Sequence, residues 1–156
     1  MEFLCNLTLR EYSFEHEYAL RKFFKEILVD EFDIKEAEKG VEKEDLSVYG
    51  SGNNKLWIYF DENDNIIGTI GLIEQEDGKT LLKKFYVRKD YRSKKLGYEL
   101  YKLAERYVIE KKYIEILLGT QQEKMFDAVK FYIRNGFESF MCDELGYTWY
   151  RKVMVY

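Results

Sequence analysis

Proline is absent from the 156 residues, histidine occurs once and cysteine twice. The missing proline, beside abundant Lys, Ile, Tyr and Asn, is read as compositional bias rather than as a structural signal. Cys5 and Cys142 lie far apart and form no C-x-x-C pair, and His16 has no second ligand nearby, so a metal site is not expected. His16 itself is expected to be an exposed helix residue, not a catalytic base. No stretch approaches the roughly 20 apolar residues of a membrane span. The start MEFLCNLTLREYSFEHE turns acidic where a secretory signal would need its apolar run, so the expected address is the cytoplasm. Repeats, low-complexity tracts and Gly/Ser-rich linkers are also lacking, which points to one domain over residues 1–156.

What is present suits a globular fold: 46% hydrophobic residues supply a core and 35% charged residues a soluble surface. The net charge of −4 is unevenly spread, with 9 Lys+Arg against 19 Asp+Glu in residues 1–80 and 16 against 10 in residues 81–156. The basic half suits an anionic ligand and the acidic half a cationic one, although solvated helix faces explain the acidic part equally well.

Periodicity predicts a strand over Phe3–Arg10, then a helix entered at Ser13 and ending near Phe32, with Leu20, Phe23, Phe24, Ile27 and Leu28 on one face. A second helical piece is expected over Ile34–Val48. Strands follow at Leu56–Phe60 and Ile66–Glu74, then at Thr80–Val87 after the Asp77-Gly78 turn. A helix is predicted over Gly97–Lys112, a strand over Tyr113–Leu118 and a helix over Glu123–Asn135 ending at Gly136. Phe137–Cys142 and Thr148–Tyr156 read as closing strands. The order β-α-α-β-β-β-α-β-α-β-β predicts an α/β fold, a mixed sheet of about seven strands flanked by about four helices.

The informative stretch is Leu82 to Tyr98, LKKFYVRKDYRSKKLGY, in which a strand ends, a basic turn follows and a helix opens behind it. The first N–H groups of a helix have no intrahelical partner and carry the positive end of its dipole, so such a turn can hold a phosphate group. Arg92, Lys94 and Lys95 add charge at the same place.

This stretch resembles the central motif of the GNAT superfamily of acyl-coenzyme A-dependent N-acyltransferases, in which a strand ending in Leu/Phe-Tyr-Val leads into (Arg/Gln)-x-x-Gly-x-(Gly/Ala). Aligning Arg92–Gly97 on that motif puts Lys95 where a signature glycine belongs. Phe131-Tyr132-Ile133-Arg134-Asn135-Gly136-Phe137 resembles the family's Phe-Tyr-x-x-x-Gly-Phe element, and the two together are a strong signal although neither alone is specific. The resemblance implies acetyl-CoA as cosubstrate along Phe85, Tyr86, Val87, Arg92, Ser93, Lys94, Lys95, Leu96, Gly97 and Tyr98. Met125 occupies the place of an asparagine that often faces the pantetheine arm, and for Met125 helix packing is the favoured role. The resemblance also implies that the Val87 N–H binds the thioester oxygen and that Tyr132 is the general acid. Glu74 is a weak candidate for the base, which is left unassigned, and Phe24, Phe32, Tyr49 and Tyr147 are candidate acceptor-lining residues or core. The acceptor would be an amine, its cationic character suggested by the acidic half. The competing reading is a non-catalytic module of the same fold that binds coenzyme A or another ligand. Negative net charge and the shortness of the basic run argue against nucleic acid, and the oligomeric state is left open between monomer and homodimer.

Overall fold

The computed structural model describes residues 6–121 and 126–156; Met125 and Cys5 lie outside these, as do the side chains of Ser93, Lys94, Phe126 and Asp127. The chain divides into two compact units, Met1–Ile73 with Lys83–Glu105, and Glu74–Leu82 with Arg106–Tyr156. The strands are β1 (Thr8–Glu11), β2 (Lys55–Phe60), β3 (Ile66–Glu74), β4 (Lys79–Val87), β5 (Glu115–Thr120), β6 (Glu138–Cys142) and β7 (Thr148–Val153). Their order in the sheet is β1-β2-β3-β4-β5-β7-β6. The helices are α1 (Glu17–Lys25), α2 (Ala37–Lys43), α3 (Leu96–Lys111) and α4 (Phe126–Arg134). The mixed α/β architecture is therefore the one predicted.

In the first unit β1, β2 and β3 form an antiparallel meander, with Thr8 opposite Phe60 and Lys55 opposite Leu72. Helix α1 presents Leu20, Phe23 and Phe24 at helical spacing, and Ile27 continues the stripe, all four at most 3% exposed. They join Leu56, Ile58 and Phe60 of β2 in one core. The helical run is entered at Ser13, as its sequence predicts, through a 3-10 turn (Phe14–His16) ahead of α1, and the His16 Nδ1 accepts from the Ser13 N–H at 3.1 Å. His16 is not the exposed residue expected, because this cap turns its ring inward, 5.4 Å from that of Phe60, and it is 8% exposed.

Helix α1 then changes register. Glu26–Glu31 is a π-helical segment closed by the Phe32 N–H on the Ile27 carbonyl at 3.0 Å. The second predicted helix is shorter than Ile34–Val48. Glu44 turns to ψ 135 and ends α2, and Asp45 caps a separate 3-10 turn, Leu46–Gly50, by accepting from the Ser47 N–H. Arg21 of α1 secures that end, donating Nη1 to the carbonyls of Val41 at 2.8 Å and Glu44 at 2.9 Å.

In the second unit β5 pairs in parallel with the first part of β4, Thr80 opposite Ile116, and antiparallel with β7, Gly119 opposite Trp149. A parallel pair needs a crossover, which α3 supplies. Strand β5 begins two residues later than expected, because Lys112 takes φ 58 and the Tyr113 N–H bonds the Val108 carbonyl at 3.1 Å, spending those residues on the helix end. The described part of α4 stops at Gly136 with φ 94, the left-handed ending its glycine predicted. The strand predicted over Phe3–Arg10 is described from Thr8, and β7 ends at Val153 rather than Tyr156.

Gly71 is a point of close approach in the first unit. A Cβ there would stand 2.9 Å from Cε1 of Tyr49 and 3.2 Å from the Lys83 carbonyl oxygen. Gly71→Ala is expected to lower stability by roughly 1–3 kcal/mol, the cost of overpacking a filled core, read as a shifted midpoint in urea unfolding with an unchanged slope.

Candidate active site

The basic stretch singled out by the sequence lies in the first unit, where β4 ends, a 3-10 turn (Lys89–Lys94) follows and α3 opens at Leu96. Helix α3 sits directly on β3: a Cβ on Gly68 would meet Leu100 Cδ1 at 2.9 Å and Leu96 Cδ2 at 3.3 Å. Both leucines are fully buried. With its underside so anchored, the helix of 16 residues directs its first-turn N–H groups and dipole at the turn before it.

Lys95 links that turn to the helix with φ 65 and ψ 12, the left-handed conformation that glycine adopts at no cost. A lysine thus holds, at the place of the motif's glycine, a backbone conformation open to glycine without strain. Gly97 has no such need, since a Cβ there would lie 3.8 Å from Phe85 Cζ and Val87 Cγ2, ordinary contact. Lys95 and Tyr98 are exposed, and Tyr98 stands under the Lys102 ammonium, 6.0 Å from its ring centroid.

Arg92 is not a free guanidinium. Its Nε donates to the Val87 carbonyl at 2.9 Å, and both terminal nitrogens donate to the carboxylate of Glu31. The guanidinium carbon lies 5.3 Å from the centroid of Phe32, one of the candidate acceptor-lining rings. Val87 turns its side chain inward, and Tyr86 packs edge-on against Phe24 with centroids 5.7 Å apart.

Earlier in β4, Lys84 has φ 56, a kink in the strand, and its carbonyl accepts from the Thr69 hydroxyl at 2.6 Å. Its ammonium reaches Glu44 Oε1 at 2.5 Å and lies 5.1 Å from the Phe24 centroid. Burial depresses the Lys84 pKa, and the Glu44 carboxylate opposes that shift. Phe24 and Tyr49 belong to the core, at 1% and 2% exposure. Burial also raises the Tyr49 pKa, with Glu44 and Tyr86 adding to the shift.

The second unit holds the other sequence-derived candidates. Tyr132 is 7% exposed on α4, its ring packed edge-on against Phe137 at 5.7 Å and Phe131 at 6.1 Å. Asn135 Nδ2 donates to the Phe131 carbonyl at 2.8 Å, tightening the same helix end. Glu74 is exposed and accepts from the Tyr113 hydroxyl at 2.7 Å, while Tyr147 is half exposed in the turn before β7.

The family model for the acetyltransferase (GNAT) family matches residues 14–137. This chain belongs to that family. Among solved structures, a GNAT acetyltransferase from Staphylococcus aureus Mu50 is 28% identical with a TM-score of 0.83, covering 96% of this chain and 99% of its own. An acetyltransferase from Streptococcus agalactiae 2603 is 21% identical with a TM-score of 0.78, at 96% and 99% coverage. The PaiA N-acetyltransferase from Thermoplasma acidophilum, solved in complex with coenzyme A, is 23% identical with a TM-score of 0.75, covering 95% and 99%. No protein of curated function matches the chain. The GNAT match supports acyl transfer as the chemistry, and it spans residues of both units.

The sequence did not single out Glu26, Glu31 and Arg88, which bond at the loop after β4, nor the Glu44–Lys84 pair within the strand. The one visible sign is the spacing of five between Glu26 and Glu31, which does not fit an α-helical face.

Relieving the left-handed strain at position 95 gives a direct check on the loop. Lys95→Gly is expected to raise folding stability by about 1 kcal/mol, the usual cost of left-handed backbone in a residue with a Cβ, measured as a higher urea midpoint.

Proposed function

We propose that the protein is an N-acetyltransferase that moves an acetyl group from acetyl-CoA to a primary amine, with both units forming one domain over residues 1–156 that works in the cytoplasm. The observation that carries this reading is the left-handed turn at Lys95, which delivers a basic loop onto the start of α3 in a chain of the GNAT family. The coenzyme A held by the Thermoplasma relative supports the same class of cosubstrate.

In this reading the pyrophosphate rests on the first-turn N–H groups of α3, at Leu96, Gly97 and Tyr98, with Ser93 and Lys94 at the rim. Lys95 adds its ammonium, and Arg92, with three of its five donors committed to Val87 and Glu31, offers the rest. Phe85, Tyr86 and Val87 border the pantetheine arm.

The neutral amine attacks the thioester carbonyl, and the Val87 N–H steadies the oxygen as it gains charge. When the tetrahedral intermediate collapses, the C–S bond breaks and the thiolate takes a proton from Tyr132. The amine's proton leaves to a base that is not assigned to a residue. The acceptor is a cationic amine, on the support of the acidic residues 1–80.

Acetyl-CoA consumption, followed as free thiol with a panel of peptides, polyamines, aminoglycosides and small amines, tests the reading. Thiol release with any of them supports it. Binding of coenzyme A without turnover on the whole panel would favour the non-catalytic module.

Two variants separate the roles. Tyr132→Phe keeps the ring and its packing on Phe137, so it should leave coenzyme A affinity unchanged and lower turnover by about 10- to 10,000-fold. Lys95→Gly should weaken coenzyme A binding and reduce its salt dependence, measured by calorimetry at two ionic strengths; tighter binding would show that the lysine only obstructs the cradle.

A further inference from the structure

The two arginines after β4 are held in the same manner. Arg88 donates Nε to the Ile66 carbonyl at 2.7 Å and Nη1 to Glu26 at 2.6 Å, and lies 5.1 Å from the Phe23 centroid. Arg92 repeats the arrangement with the Val87 carbonyl, Glu31 and Phe32. Each arginine ties a backbone carbonyl at a strand end to a carboxylate on the first helical run, over an aromatic ring.

Glu26 and Glu31 are the first and last residues of the π segment. In a regular α-helix, residues five apart point about 140° away from each other. The i→i+5 closure of a π turn brings them near one face. One extra residue per turn thus aligns two carboxylates that α geometry would separate, and sets them opposite Arg88 and Arg92. The planar guanidinium fork fixes direction as well as distance, which a lysine's ammonium does not.

We propose that Glu31, aided by Glu26, is a positioning residue for the cosubstrate. The π segment holds the Val87 end of β4 through Arg92 and the start of the phosphate loop through Arg88, so that the N–H groups serving the thioester and the pyrophosphate are set before the ligand arrives. This inference rests on the acetyl-CoA reading for its consequence, while the clamp itself lies within the first unit.

Coenzyme A affinity by calorimetry, together with amide hydrogen exchange of residues 87–96 without ligand, tests it in the full chain. Glu31→Ala should weaken binding roughly tenfold or more, the loss of charge-assisted hydrogen bonds that order the loop, and should speed exchange across 87–96. Glu31→Gln, which keeps an acceptor, should restore part of both. Arg92→Lys keeps the charge without the fork and should behave like Glu31→Ala, with thermal melts confirming that all three fold. Tighter binding in Glu31→Ala would overturn the proposal, because the carboxylate would then be competing with phosphate for Arg92. Unchanged exchange would overturn it as well. Wild-type protein that fails to bind coenzyme A would count against the cosubstrate reading alone, and faster exchange in Glu31→Ala would still support the clamp.

Discussion

Burial of the stripe Leu20, Phe23, Phe24 and Ile27 is the constraint on which the first unit turns. Each such side chain is worth roughly 1.5–3 kcal/mol when removed from water, so no register of the first helix that exposes them competes. Fixing that face leaves the helix no freedom to choose where its later residues point. The π segment is how the chain reconciles a buried stripe with carboxylates that must face the loop after β4. Glu44 meets a similar demand by leaving helical geometry altogether, its backbone carbonyl held by Arg21 and its carboxylate by Lys84.

The charge imbalance along the chain acquires a second meaning. Residues 1–80 are acidic and residues 81–156 basic, a pattern suited to ligands of opposite sign. Within the first unit, however, Glu26, Glu31 and Glu44 of the acidic half pair with Arg88, Arg92 and Lys84 of the basic half. Part of the asymmetry is therefore consumed internally, and it joins segments separated by 40 to 62 residues in sequence. Partly buried pairs of this kind gain more from geometry than from charge alone, and breaking one side leaves the other desolvated.

The sequence made the element order legible because strands and helices here obey their periods. Ile66–Glu74 was predicted to the residue, and Gly136 marked its helix end correctly. The misplaced features have two causes, tertiary capture at Glu44 and local turn and cap geometry at Lys112 and His16. Glu44 leaves the helix where Arg21 and Lys84 capture it, Lys112 turns left-handed to start β5 late, and His16 is drawn under Phe60 by its own cap. The candidate site was legible as a motif, since a basic loop ahead of a helix can be read from residue types. Its supports were not, because a π turn has no compositional signature and ion pairs between distant segments leave no periodic trace.

Lys95 also bears on how this loop can vary. Exposed positions ordinarily accept almost any residue, since a side chain in water answers to little beyond solubility. Position 95 is exposed and yet bound to φ 65. Glycine takes that backbone freely, asparagine and aspartate at modest cost, and β-branched residues scarcely at all. Mutational tolerance there is set by the peptide backbone instead of by packing, so exposure alone does not make a surface site permissive.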